Sequence, residues 1–208
     1  NLDRAKTLLN RMNRSTGGFV IAWQGEGPGD TAGIFMRRFG ATGVALDAAD
    51  LRVNSTDAGT EQNPAVAMDT SNRVVAAFDV ANKVYFQRFD AAGATQGSRS
   101  MVDSTGLGSN SSAAIGMDDS GRFFIAYRET NVIPGIWARG FDAAGVPQTG
   151  LPFSVATGDA TSPSIATHAN GDFVVAYEKT GADGTEILAR QYNANGSTNG
   201  AAFTVNQH

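Results

Sequence analysis

Cysteine is absent from the 208-residue chain, which excludes disulfides, thiolate metal sites and cysteine nucleophiles. Histidine occurs only at His168 and His208, leaving little for imidazole chemistry. Lys and Arg number 16 against 20 Asp and Glu, for a formal net charge of −4 and a pI near 5.1. Nucleic-acid backbone binding needs clustered cations, so no nucleic-acid partner is expected. No apolar run approaches the ~18 residues of a membrane helix, so the chain is not expected to span a membrane. No secretory leader pattern stands at the start, as expected of a processed chain or a piece of a larger parent chain.

What the chain has is glycine, 25 residues of it, with many Asn, Asp, Ser and Thr between short apolar runs. That texture predicts an all-β protein rich in turns. One apolar run recurs: "FVIAW" (19–23), "VVAAF" (74–78), "FFIAY" (123–127) and "FVVAY" (173–177). The steps between copies are 55, 49 and 50 residues. A second strand follows each copy: "IFMRRF" (34–39), "VYFQRF" (84–89), "IWARGF" (136–141) and "ILARQY" (187–192). Next come the turns "GATG", "DAAG", "DAAG" and "NANG", then a third strand: "LRVN" (51–54), "SMVD" (100–103), "FSVA" (153–156) and "FTVN" (203–206). Another strand precedes the recurring run in "NPAVAMD", "SAAIGMD" and "SPSIATH". From its Val66, Ile115 or Ile165 to the next run is eight residues each time.

A period near 50 residues with four short strands per unit signals a β-propeller. A continuous apolar strand fits a sheet covered on both faces, as in a blade pressed between neighbours. The rival architecture, a linear array of small sandwiches, is disfavoured because so small a unit cannot build its own core. The expected fold is therefore all-β: a β-propeller domain over 15–208, with repeats near 15–61, 62–110, 111–160 and 161–208. The first blade is incomplete by this pattern. Residues 1–14 stand in place of its missing strand, as a short helix or a degenerate strand. Leu2, Ala5, Leu9 and Met12 fall at helical spacing, and a docking helix for a partner is the sharper alternative. Four blades could close a small ring. Alternatively, further repeats or a homo-oligomer complete a larger one.

The motif carried by residues 17–23, 34–43, 51–54 and 63–67, and by their later copies, resembles tandem repeats of large bacterial secreted and cell-surface proteins. The resemblance covers most of the chain. It implies an extracellular or cell-surface, non-catalytic role and transfers no catalytic residues. Gln87, in place of the arginine at 37, 139 and 190, and Gly40, in place of the turn aspartate, depart from the pattern.

A search for chemistry finds little. His168 lies in a hairpin turn equivalent to "AMDTSNRV", so no triad is expected. "GEGPGDTAG" (25–33) misses nucleotide-loop spacing and reads as a hairpin tip. Asp69, Asp118, Asp90 and Asp142 recur at turns and are assigned to turn stabilisation, with weak calcium binding the minority alternative; no other cofactor and no metal are expected. Arg37, Arg139 and Arg190 lie amid apolar strands, and ion pairs between blades are the favoured explanation. Glu26, Glu61, Glu129, Glu178 and Glu186 are read as lying in non-equivalent loops, with no anchor for a glycosidase pair. The sequons at Asn13, Asn54, Asn110 and Asn195 read as turn chemistry. For a sugar ligand the candidates are Trp23, Phe35, Tyr85, Tyr127, Trp137 and Tyr177 for stacking, with Arg37, Arg139 and Arg190 for hydroxyls. The leading expectation is a non-catalytic extracellular recognition or assembly module that binds a protein partner. A lectin-like propeller binding a surface glycan comes second and a glycoside hydrolase-like enzyme third.

Overall fold

The computed structural model describes residues 8–12, 17–55, 60–103, 108–148, 152–181 and 184–206. Two compact units, Asn1–Met101 and Val102–His208, divide the chain. No described residue is helical. In the first unit one sheet is built from β1 (Leu8–Met12), β2 (Phe19–Gly27), β3 (Asp30–Phe39) and β4 (Leu51–Arg52). The next is built from β5 (Gln62–Met68), β6 (Val74–Val80), β7 (Lys83–Phe89) and β8 (Thr95–Met101). The second unit holds β9 (Asn110–Met117), β10 (Phe123–Glu129), β11 (Gly135–Phe141) and β12 (Phe153–Thr157). Its other sheet holds β13 (Ala160–Thr167), β14 (Phe173–Gly181), β15 (Gly184–Tyr192) and β16 (Phe203–Thr204). Every sheet is an antiparallel meander in sequence order.

The strand absent from the repeat pattern is present. β1 pairs antiparallel with β2, with a bulge between Asn10 and Met12. Of the two expectations for the N-terminal segment, the strand is the one observed, and the first sheet is complete. The free edge of β2 outweighs the helical spacing because an unpaired edge strand in a packed sheet leaves a row of backbone groups unsatisfied. Residues 1–7 and 13–16 lie outside the described residues.

Face-to-face packing explains the apolar runs. Every residue of β6 is buried, and β10 is buried apart from Arg128. β13, by contrast, is buried only at its two ends and alternates between half-buried and exposed positions between them, as expected of a strand with one face less covered. In the first unit Val20, Ala22, Ile34 and Met36 pack in one cluster with Val66, Val74, Ala76 and Phe78. In the second, Phe124 and Ala126 cluster with Phe173 and Val175, the two Phe rings 4.0 Å apart. Ala22, Ala77 and Ala126 are fully buried, and their methyl side chains allow close approach between sheets. The aromatic after each alanine meets a partner across the strand pair: Trp23 with Phe35, Phe78 with Tyr85, Tyr127 with Trp137. Such pairs add about 0.2–1 kcal/mol each.

Strand direction sorts the loops. The first and third strands of each sheet run one way, so the turns after them share an end, called here the turn end. The second-strand hairpins and the crossovers share the other, the loop end. At the turn end the aspartates fold the chain. Asp118 Oδ1 accepts the amides of Ser120 and Arg122, both at 2.9 Å, and its Oδ2 pairs with Arg122 Nε at 2.7 Å. Arg122 also donates to the Asn170 carbonyl of the neighbouring sheet at 2.8 Å. Asp90 and Asp142 accept the amides two and four residues on in the same manner.

Asp118→Ala strands two amides and a guanidinium at once, so unfolding should be easier by about 2–3 kcal/mol. Asp118→Asn keeps the Oδ1 acceptor and should lose less. Urea titration of the two variants checks the order.

Candidate functional site

At the loop end of the first unit a bulge sets the site. Asn63, with φ of 52°, breaks the pairing register of β5 between Gln62 and Ala65. Ser112 and Ser162 repeat that conformation at φ 55° and 52°. A bulge re-aims the side chains beside it, and the position two residues before each bulge is buried: Glu61, Asn110 and Ala160, each at 1% exposure. One interior slot thus carries an acid, an amide and a methyl in successive repeats.

Glu61 shares this end with Asp30 at the start of β3 and with Arg52 and Asn54 at and just past β4. Asn54 donates to Asp30 Oδ2 at 3.0 Å and accepts the Ile34 amide at 2.8 Å. Arg52 pairs with the same Asp30 oxygen at 2.5 Å and donates to the Gly29 carbonyl at 3.2 Å. Gly33 makes the cluster possible: a Cβ there would stand 2.7 Å from Asp30 Oδ2 and 2.8 Å from Asn54 Oδ1. Glu61 Oε1 is buried and accepts no hydrogen bond.

The two carboxyls are driven apart. The Ala32 amide, 3.0 Å from Asp30 Oδ1, holds Asp30 below its ordinary pKa of 3.8, helped by Asn54 and Arg52. Burial pushes Glu61 above its ordinary 4.5, and the negative charge of Asp30 adds to the rise. The two shifts run in opposite directions, Asp30 toward the ionised form and Glu61 toward the protonated one. Beside them a cavity of about 530 Å³ opens between the sheets, lined among others by Arg52, Asn54, Gln87 and Arg99.

The second unit shows a variation. Asn110 donates to Asp103 Oδ2 at 3.3 Å. In repeat order Asp103 corresponds to Asn54 and Asn110 to Glu61, so acid and amide have exchanged places. Glu129 has a scaffolding role there. Burial works against its charge, but the amides of Val132, Asn131, Ile133 and Ser109 outweigh that and hold its carboxyl below the ordinary range. Burial raises the Tyr127 and Tyr177 hydroxyls, and pushes Tyr192 up to about 12.

The residues singled out from the sequence are distributed differently. Phe35, Tyr127 and Tyr177 are buried and present no face for a sugar to stack on. Trp23, Tyr85 and Trp137 are half-buried, Trp23 stacked on Phe35 and Trp137 Nε1 donating to the Ile133 carbonyl at 3.0 Å. Arg37 lies 3.5 Å from Asp50 of its own sheet. The bridge between sheets expected of it falls to Arg38, which pairs with the buried Asp47 and donates to the Ala91 carbonyl of the next sheet at 2.6 Å. Arg139 is buried and donates to the Val102 carbonyl at 2.8 Å. Arg190 lies beside Tyr192. The turn aspartates hold their own hairpins, through backbone amides and, at Asp69 and Asp118, through Arg73 and Arg122 of the same turn. Among the described residues no group of three or more His, Asp and Glu is placed to hold a metal ion, and none forms a helix able to cross a membrane.

The site residues missed from the sequence are Asp30, Arg52 and Arg99; there, Glu61 is weighed without an anchor and Asn54 reads as turn chemistry. Strand parity was the available signal. Every glutamate, read as lying in non-equivalent loops, sits at the loop end of its sheet. In the first unit these are Glu26 and Glu61; in the second, Glu129, Glu178 and Glu186.

No protein-family model and no curated protein matches the chain. Solved structures do. The α-L-arabinofuranosidase of Podospora anserina, solved with cellotriose, aligns at TM-score 0.50 and 10% identity over 94% of this chain and 65% of its own. A GH43 endo-arabinanase of Bacillus licheniformis aligns at 0.52 and 15%, over 95% and 79%. A GH43 β-1,3-galactosidase aligns at 0.60 and 10%, over 95% and 45%. The chain thus spans less than two thirds of the first and third of these. The likeness is one of fold, and the fold is the all-β propeller type expected from the repeat. It corrects the expectation of a non-catalytic recognition or assembly module. The three structures named are glycoside hydrolases, so the repeat architecture gives no ground for excluding an enzyme.

Glu61 also predicts a pH signature. A raised carboxyl pKa contributes stability below its unfolded value, and that contribution is lost as pH climbs through the folded value. Glu61→Gln should therefore raise the melting temperature relative to wild type at pH 8 and leave it nearly unchanged at pH 4. Thermal melts across that range measure it.

Proposed function

We propose that this chain is a glycoside hydrolase-like, carbohydrate-acting protein that works outside the cell, with Asp30 and Glu61 as its acid–base pair. The observation that carries the proposal is the placement of two carboxyls at one loop end, Asp30 held by Asn54 and Arg52 and Glu61 buried beside them, with their acidities shifted in opposite directions. Hydrolysis of a glycosidic bond uses one carboxylic acid to protonate the leaving oxygen and one carboxylate to activate water or attack the anomeric carbon. Glu61 suits the first role, because burial shifts it toward its protonated form. Asp30 suits the second, because an amide, Asn54 and Arg52 keep it ionised. The fold likeness to glycoside hydrolases supports the proposal. Polysaccharide substrates are met outside the cell, which supports that setting. The polar wall of the adjoining cavity, with Asn54, Thr95 and Ser98, offers the hydroxyl partners that a sugar needs.

The test is release of reducing ends from a panel of arabinan, galactan, xylan and pectin. Asp30→Asn and Glu61→Gln should each lower kcat by roughly a hundredfold or more, about 2.7 kcal/mol in the barrier. The wild-type rate should fall at high pH as Glu61 loses its proton, and that limb should vanish in Glu61→Gln. Activity that survives both substitutions overturns the assignment.

A further inference from the structure

Successive side chains of a strand point to opposite faces, so each sheet has two unlike sides. The alanine face carries Ala22, Ala77, Ala126 or Ala176 of the recurring run, and the aromatic face carries the residue after it. In the first unit the alanine face of the β1–β4 sheet, with Val20, Ala22 and Ile34, packs on the aromatic face of the β5–β8 sheet, with Val66, Ala76 and Phe78. The second unit repeats this joint, Phe124, Ala126 and Ile136 meeting Phe173, Val175 and Tyr177. The alanine face of the β13–β16 sheet, by contrast, is open. Ile187, Phe203 and Val205 lie on it at 43%, 48% and 55% exposure. In the corresponding positions Ile34 and Ile136 stand at 0%, and Val53 and Val155 at 3%. The open face thus keeps the residue types of a buried joint, and a contiguous exposed apolar patch marks an interaction surface. Its carboxylate, Glu178, lies at the loop-end rim against the Thr161 and Ser162 hydroxyls. The β1–β4 sheet holds the matching half. On its aromatic face Phe19, Ile21 and Trp23 are half-buried, whereas their counterparts Val74, Ala76 and Phe78 are fully enclosed.

We propose that the open alanine face of the β13–β16 sheet seats the aromatic face of the β1–β4 sheet of a second copy of this chain, head to tail. The contact continues the joint found inside both units, in which an alanine face meets the aromatic face of the following repeat. One chain carries an unfilled half of each kind, so a second copy supplies what each half lacks. Two alanine faces meeting about a two-fold axis would leave both aromatic faces uncovered. A head-to-tail contact uses unlike surfaces, so it leaves one of each free at the ends of a dimer and extends until a ring closes or a stack grows. Apolar side chains form the centre of the contact and Glu178 stays at its edge, the arrangement of a dry core within a polar rim. The joint uses none of the residues proposed for hydrolysis, so it stands or falls apart from that assignment.

Analytical ultracentrifugation of the full chain from about 1 μM to about 1 mM tests the assignment, and the mass should rise with concentration. Val205→Arg sets a cation on the open alanine face, and Ile21→Arg sets one on the aromatic face. Each variant alone should associate at least about tenfold more weakly than wild type, because a charge would be buried without a partner. An equimolar mixture of the two should recover a dimer and grow no further, since each variant keeps one sound half. If Ile21→Arg folds poorly, the emission of Trp23 takes its place. In Trp137→Phe, which leaves Trp23 as the one tryptophan, emission should move to shorter wavelength as the chain is concentrated, and adding Val205→Arg should abolish the shift. A monomer at every concentration overturns the second copy as occupant and leaves the face to a further repeat or an unlike partner. Association that survives Val205→Arg overturns the proposal. So does association that Ile21→Arg spares, or that leaves the Trp23 emission unmoved, since the aromatic face would then take no part.

Discussion

The structure depends on one constraint: a thin four-stranded sheet cannot dry its own faces and must be pressed between others. The all-buried strand β6 is the clearest expression of it. A strand covered on both sides cannot alternate polar and apolar residues, so polarity is expelled to its ends. Small side chains are then required where sheets approach, which is why Ala22, Ala77 and Ala126 are so deeply enclosed. Aromatic side chains are required where they diverge. Because chemistry cannot reside within such strands, it gathers at the sheet ends.

The two ends have divided the work. At the turn end, aspartates are saturated by backbone amides and arginines reach carbonyls of the next sheet. At the loop end the bulges aim one side chain per repeat into a dry slot. A methyl there is free of electrostatic cost, an amide needs a partner, and an acid must shed its charge or find compensation. Burial raises the Glu61 carboxyl, while an amide, Asn54 and Arg52 lower that of Asp30, one amide away. The exchanged pair Asp103–Asn110 shows the same slot filled by an amide that donates to a carboxyl oxygen.

Much of the fold was legible because it repeats. Four copies of an apolar run ending in Ala and an aromatic outweigh any ambiguity in one copy, and their spacing located the strands. Where repetition failed, so did legibility. β1 carries no recognisable motif and takes its conformation from the edge of β2. The site was harder still. Glu61 occupies a slot filled by Asn and Ala elsewhere, so alignment of repeats obscured it. Asp30 stood in a Gly-rich stretch that reads as a plain hairpin. Among the stacking candidates, Phe35 and Tyr127 recur because they fill the core.

The bulge conformation at Asn63, Ser112 and Ser162 has a wider meaning. A left-handed backbone kink in three successive repeats makes the adjoining interior slot a property of the scaffold and not of its occupant. Each slot can change its chemistry by a single codon while the sheets around it stay in register. The molecule is in that sense modular below the level of the blade, with interchangeable sockets that evolution or an engineer could refit one at a time.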